Sequence, residues 1–396
     1  MTNREIIEAT DRTQVGVYAR FPVAFVRGEG ARLWDADGRS YLDFFTGLAV
    51  NNLGHSHPRI VAAIHAQSEK ILHASNVYYN EPAARLGSLL TEASFAERVF
   101  FCNSGAEANE AAIKLARRHG SRQRDGRYEI LTTHGSFHGR TIATLSATAQ
   151  EKYQSGFQPL LPGFRYVPFG DARAMADAVR DETVAILVEP IQGEGGVNVP
   201  PDGYLRRLRE LCDEKRLLLV LDEVQVGMGR TGTLFAYEQE GIRPDIVTLA
   251  KALGGGVPIG AMLTTEAIAA SLDTGAHGST FGGNPLACAA GVAVVETLLG
   301  DKILENCRSV GERLREGLTR LSRDLSMIHA VRGRGMILGA ELDRPARPFV
   351  AAALDRGLVI NATADKVIRL LPPLTLTVAE ADEGLDILEA VLREAP

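Results

Sequence analysis

LLLVLDEVQVGMGRTG, residues 217–232, and PDIVTLAKALGGG, residues 244–256, are the two stretches on which the reading of this chain turns. Five consecutive apolar residues, Leu217 to Leu221, have the length and composition of a strand buried on both faces. They deliver two carboxylates, Asp222 and Glu223, to the C-terminal end of that strand, where open parallel sheets place their chemistry. A second apolar run, Ile246 to Leu249, ends in Ala250-Lys251 and then three glycines, Gly254 to Gly256, so a lone amine stands where little bulk surrounds it. A crowded lysine loses part of its preference for the charged form and condenses with aldehydes. A carboxylate facing a pyridine nitrogen keeps that nitrogen protonated and turns the ring into an electron sink. Asp222 paired with Lys251 therefore suits pyridoxal 5'-phosphate. On these stretches alone, a strand-end carboxylate pair for Mg2+ or a turn, with Lys251 solvated, stays open.

Working outward, the chain has 396 residues and 45% hydrophobic content, enough for one large and one smaller domain. The net charge of -6, from 43 basic and 49 acidic residues with no long run of either sign, gives no footprint for nucleic acid or an anionic membrane. Cys102, Cys212, Cys288 and Cys307 form no CxxC, which argues against a zinc knuckle or a disulfide framework. The N-terminal MTNREIIEATDRTQ lacks an apolar core, and no uninterrupted apolar segment reaches about 18 residues, so a cytoplasmic protein is expected. His55 and His57 have no carboxylate or cysteine cluster beside them, and no metal site is expected.

Residues 23–44 alternate around two turn signals, Gly28-Glu29-Gly30 and Asp37-Gly38, and predict antiparallel ribbons outside the main sheet. A helix enters near Pro58, with Ile60, Ile64 and Ile71 on its apolar side. RVFFC, 98–102, predicts a strand that runs through Asn103-Ser104-Gly105-Ala106 into an alanine-rich helix; such a junction is a phosphate receptacle, though Ser104 equally suits a plain helix cap. GxGxxG and the P-loop pattern are both absent. YEILT at 128–132 leads to HGSFHGRT, where Phe137 is flanked by His134, His138 and Arg140: an aromatic face and a carboxylate-binding cation arrive together. VAILVEP places Glu189 at another strand end, and repeated strand, polar loop and helix make a mostly parallel α/β sheet. Beyond Pro285 come an alanine-rich helix, alternating short strands, and a final helix opened by the capping-box spacing Thr377, Glu380.

Taken together, DEVQ, GRTG and PDIVTLAKALGGGVPIGA resemble the fold type I pyridoxal phosphate enzymes, specifically the subgroup III aminotransferases. The resemblance implies that Lys251 links covalently to the cofactor, that Asp222 pairs with its pyridine nitrogen, that Gln225 lies by its phenolic oxygen, and that Glu223 and Val224 of the same motif also bind the cofactor. It implies that Phe137 stacks on the ring and that Ser104, Gly105 and Ala106 take the phosphate. Thr280 of HGSTFGGNP would join them from the neighbouring subunit of a homodimer. Ala106 departs from the threonine common at its place and removes one hydroxyl donor.

Residues 17–58, FCNSGAEANEAAIKLAR at 101–117, SFHGRT at 136–141 and VIRLLPPL at 367–374 are similar to the acetylornithine aminotransferase family. That likeness implies transfer of the distal amino group of N2-acetyl-L-ornithine to 2-oxoglutarate. Arg140 would receive the substrate α-carboxylate and Arg369 the carboxylate of 2-oxoglutarate or glutamate, with Glu189 pairing with Arg369 when another substrate is bound. Ser279 would touch substrate from across the dimer, and Tyr18 would meet its far end. Ornithine, 4-aminobutyrate and succinyldiaminopimelate aminotransferases look alike at the cofactor; a racemase, aminomutase or decarboxylase shares the scaffold. The expected architecture is an arm and part of a small domain over 1–50, a large cofactor-binding domain over 51–290, and the rest of the small domain over 291–396.

Overall fold

The computed structural model describes residues 1–394. A seven-stranded sheet forms its centre, in the spatial order Arg98–Cys102, Gly260–Thr264, Ile246–Leu249, Leu218–Asp222, Thr183–Val188, Glu129–Thr133, Phe164–Val167. Neighbours pair in parallel except at Gly260–Thr264, which runs antiparallel to both of its partners. Arg98–Cys102 thus points the same way as the parallel strands, and the ends of all these strands meet on one edge. The inner strands 183–188, 218–222 and 246–249 are buried at every position, as their Val-, Ile- and Leu-rich runs require. The helix Gly105–Gln123 lies on this sheet through Ala108, Ala111, Ala112, Leu115 and Ala116, whose small side chains allow a close approach.

Two four-stranded sheets complete the fold. One joins Phe25–Glu29, Arg32–Asp35 and Ser40–Asp43 to Leu358–Val359, which pairs in parallel with Ser40–Asp43; the other is Ile328–Arg334, Ile337–Leu342, Val367–Leu370 and Asn361–Thr363. Segments from the first and last parts of the chain therefore share one sheet. The helix Pro285–Gly300 is apolar nearly all round and is buried against the helices Pro58–Ser68 and Glu81–Glu92 and the turn Lys251–Gly254. At Val378–Arg393 the expected capping box forms, Thr377 Oγ1 accepting from the Glu380 N–H at 3.2 Å and the Glu380 carboxylate accepting from the Thr377 N–H at 2.9 Å. Ile71 does not join the apolar side of its helix: that helix stops at Ser68, and Ile71 is exposed.

Arg230 ties the loop after Leu218–Asp222 to the small sheets. It is wholly buried and donates to the carbonyl oxygens of Met336, at 3.0 Å, and Pro372, and to Asn52 Oδ1. Burial without a carboxylate partner pulls its guanidinium down to about 10. Arg230→Met keeps the volume but orphans these acceptors, and should lower stability by at least ~2 kcal/mol in chemical denaturation, with the cofactor-binding spectrum intact below the transition.

Candidate active site

Strand ends 102, 133, 188, 222 and 249 surround a cavity of about 450 Å3, a size suited to one small heteroaromatic ligand. Its wall includes Ser104, Gly105, Ala106, Phe137, Arg140, Glu189, Asp222, Val224, Gln225 and Lys251. Ten of the residues singled out in the sequence are thereby brought together.

Asp222 lies deep in the cavity with 4% of its surface exposed. Its Oδ2 accepts from Asn109 Nδ2 at 2.7 Å and contacts His138 Nδ1 at 2.8 Å, and its Oδ1 accepts from the Val224 N–H at 3.0 Å. Since a carboxylate only accepts, the imidazole presents Nδ1–H to it. Behind these groups, Thr132 Oγ1 meets His138 Nε2 at 3.2 Å and Thr248 Oγ1 donates to Asn109 Oδ1 at 2.8 Å. The carboxylate is held in one orientation by a chain of buried partners.

Lys251 follows Ile246–Leu249 with φ of +43°, the left-handed region that a side-chain-bearing residue occupies only when its surroundings hold it there. It keeps some surface toward the cavity but is enclosed on its other sides. Desolvation lowers its amine below the ordinary lysine value; Arg369 adds to this, while Glu194, Asp222 and Glu189 oppose it. Gly105 opens its helix against Val224, whose Cγ1 would stand 2.7 Å from an added Cβ, so only glycine lets the helix start so near the strand end. The helix N-terminus and its free N–H groups then face the cavity at Ser104–Ala106. Ser104 also caps the helix, accepting from the Glu107 N–H at 3.2 Å.

Glu189 is buried, and its Oε2 accepts from the Phe137 N–H at 3.1 Å. Burial and the neighbouring Asp222 push its carboxyl well above the ordinary range. The carboxylate that meets Arg369 is not Glu189 but Glu194, at 2.7 Å, because the glycine-containing loop after Thr183–Val188 carries residue 194 across to Val367–Leu370 while residue 189 stays at the strand end. Burial opposes ionisation of Glu194, yet Arg369 and Lys251 outweigh it and bring its pKa below the usual value. Arg369 is wholly buried and also reaches Gln225 Oε1 at 3.0 Å and Asn361 Oδ1 at 3.1 Å; its Nη2 has no partner.

Other expected residues stand elsewhere. Glu223 points away from the cavity and accepts from the N–H groups of Ala236, at 2.7 Å, and Tyr237, at 2.8 Å, because successive side chains at a strand end take opposite faces. Tyr18 is exposed on the irregular segment after the first helix, with Arg20 over its ring. Ser279 Oγ accepts from Asn103 Nδ2 at 3.1 Å, so it adjoins a residue of the cavity wall without lining the cavity itself. Thr280 lies beside His73, Asn76 and Asn80, outside its own chain's cavity. His138, Asn109 and Glu194 went unassigned in the sequence, although Asn109 carries a signal: it is an amide on the buried face of an alanine-rich helix, one turn after Gly105. Among the described residues no cluster of metal-ligating side chains occurs and no helix is long and apolar enough to cross a membrane.

The family model for class-III aminotransferases matches residues 15–392, and the chain belongs to this class of fold type I pyridoxal phosphate enzymes. It is 51% identical over 379 residues to the acetylornithine aminotransferase of Caldanaerobacter subterraneus subsp. tengcongensis, covering 95% of this chain and 96% of that protein. The ornithine aminotransferase of Toxoplasma gondii superposes with a TM-score of 0.97 at 34% identity, over 100% of this chain and 96% of the other. The N-acetylornithine aminotransferase of Stenotrophomonas maltophilia gives 0.84 at 41%, over 98% of each. Within the class, this chain is a member of the acetylornithine aminotransferase family.

The donor set fits the family's cofactor: an oriented carboxylate for a pyridinium nitrogen, a desolvated amine, a ring at Phe137, and a helix N-terminus for a phosphate. A lowered amine pKa leaves a larger neutral, nucleophilic fraction at any given pH. In cofactor-free protein, the rate of adduct formation with pyridoxal 5'-phosphate should therefore rise to its plateau with a midpoint below 10.5, the ordinary lysine value. Stopped-flow absorbance across a pH series measures it, and Lys251→Ala should give no adduct.

Proposed function

We propose that this enzyme moves the distal amino group of N2-acetyl-L-ornithine to 2-oxoglutarate, giving N-acetylglutamate 5-semialdehyde and L-glutamate. When bound, pyridoxal phosphate supplies an electron sink for the pair left as the substrate carbon loses its proton. Asp222 would hold the proton of the ring nitrogen, with His138 and Asn109 fixing the carboxylate's direction. Phe137, Gln225 and the N–H groups at Ser104–Ala106 line the same cavity; Phe137 would cover the ring, Gln225 would meet its oxygen, and the N–H groups would take the phosphate. Lys251 Nζ, its pKa lowered chiefly by desolvation, would carry the proton taken from the substrate's distal carbon.

The observation that carries this reading is a pair of arginines in different states around one lysine. Among the described residues the ion pairs of the cleft are His138–Asp222 and Arg369–Glu194; Arg140 enters neither and keeps its fork of donors for an incoming carboxylate. Arg369 stands behind Glu194, which lines the cavity, and is held by it until a dicarboxylate competes for it. A monocarboxylate amine can use Arg140 alone, while 2-oxoglutarate can use both arginines, so one cleft serves two unlike substrates in turn. The neutral acetamide of acetylornithine avoids the burial of a second ammonium. Ornithine is the second reading, favoured by the close superposition on an ornithine aminotransferase.

A homodimer belongs to the same proposal. Val77, Tyr78, Tyr79 and Phe281 are exposed together, and Asn76 binds the carbonyl oxygens of Ser279 and Gly282 at 2.8 Å, so the two segments form one apolar surface beside Thr280. A second copy covering it would bring Thr280 to the other subunit's phosphate site. Sedimentation should give a dimer, weakened by Tyr79→Glu. We further take residues 51–290 as the cofactor-binding domain of a cytoplasmic enzyme.

The deciding measurement is kcat/KM for N-acetylornithine, succinyldiaminopimelate, ornithine and 4-aminobutyrate with 2-oxoglutarate as common acceptor. N-acetylornithine should lead, and Arg140→Ala should lower its value at least ~30-fold, the loss of about 2 kcal/mol from a charged clamp. Preference for ornithine or 4-aminobutyrate would overturn the substrate assignment.

A further inference from the structure

Arg140 is exposed and long, and a side chain with that freedom normally loses affinity through the cost of ordering it. Two aromatic rings hold it instead. Its guanidinium carbon lies 4.0 Å from the centre of the Tyr153 ring and 5.4 Å from that of Phe137, and these rings meet edge to face with centres 5.6 Å apart. An aromatic face attracts a guanidinium without occupying its in-plane N–H donors.

Tyr153 sits on a single helical turn, Glu151–Gln154, too short to be stable by itself. Two glutamines pin that turn. Gln150 Nε2 donates to the carbonyl oxygens of Gly135, at 3.2 Å, and Ser136, at 3.0 Å, in the loop that carries Phe137. Gln154 Nε2 donates to those of Leu145, at 3.2 Å, and Thr148, at 2.8 Å, and to Tyr166 Oη at 3.0 Å. Tyr153 also lines a separate hollow of about 350 Å3 together with Lys152, Glu194, Arg347 and Asp365. The ring is thus fixed beside Arg140 by hydrogen bonds that do not involve Arg140 itself.

We propose that Tyr153 is a positioning residue for substrate specificity: its ring holds the Arg140 guanidinium in the cleft, unpaired and oriented for a substrate carboxylate. This rests on the role given to Arg140 above. The phenol oxygen has no part in it, since the ring face alone does the holding; Lys152, 4.7 Å from the same ring centre, is solvent-exposed and marks the ring's outer side.

The test compares N-acetylornithine with N-acetyl-1,4-diaminobutane, the same amine without its carboxylate, in holoenzyme carrying Tyr153→Leu, Tyr153→Phe, Arg140→Ala and the Leu/Ala double substitution. Tyr153→Leu should raise KM for N-acetylornithine roughly 3- to 10-fold with kcat nearly unchanged, the size expected for a cation held by an aromatic face. The carboxylate-free amine should respond less than about twofold, Tyr153→Phe should restore the wild-type KM, and Tyr153→Leu should add nothing in the Arg140→Ala background. Equal losses with both amines, additive effects in the double variant, or a Tyr153→Phe as impaired as Tyr153→Leu would overturn the proposal. Tyr153→Met replaces the leucine variant if that one fails to bind cofactor with the wild-type absorbance, and is read by the same outcomes. Should another carboxylate-bearing amine prove the preferred substrate, the substrate assignment fails while the same comparison, run with that amine and its decarboxylated counterpart, still decides the role of Tyr153.

Discussion

A carboxylate fixed at the end of a strand that has no water on either face is the constraint from which the rest of this structure follows. Asp222 cannot be placed there by solvent, so the fold supplies donors from three directions: the helix 105–123 through Asn109, the loop after 129–133 through His138, and its own backbone at Val224. Each donor is held in turn by a buried threonine or by the chain itself. The helix must approach closely for Asn109 to reach, which explains both its alanine face and Gly105 at its start. The same approach brings the helix N-terminus to the cavity. Acid, amine and anion receptacle thus stand at one sheet edge because one packing arrangement requires all three.

The parts legible in the sequence were those whose signal is local. The Leu217–Leu221 run, the amine at Lys251 before its glycines, the strand at 98–102 and the Thr377–Glu380 box all carry their reasons within a few residues, and the structure has these elements in those places. What was not legible depends on partners far along the chain. Glu223 stands next to Asp222 in the motif, but the alternation of side chains turns it to the backbone of residues 236 and 237. Glu194 and Glu189 are five positions apart, and only the path of the intervening loop decides which reaches Arg369. The reversed strand at 260–264 reads like its parallel neighbours, since direction leaves no mark on an apolar run. Tyr153 belongs to a turn whose position is set by two glutamine side chains.

Backbone likeness and substrate choice are separate matters in this cleft. The chain superposes more closely on an ornithine aminotransferase than on an acetylornithine aminotransferase, whereas its identity to the latter is higher. Both facts are compatible, because the strand ends that carry Asp222 and Lys251 are set by the shared core, and the far end of a substrate is met by side chains on short, separately anchored pieces of chain. Those pieces tolerate change without cost to the sheet.

The parallel pairing of Leu358–Val359 with Ser40–Asp43 has a consequence for the order in which the polypeptide is made. The ribbon containing Tyr41 and Leu42 leaves the ribosome more than three hundred residues before the strand that completes its sheet. At a synthesis rate of roughly 5–20 residues per second, that interval is on the order of tens of seconds. For that time the nascent chain holds an unfinished β edge while the central sheet is already able to assemble. Until Leu358 and Val359 have emerged, that edge has no strand of its own chain to pair with.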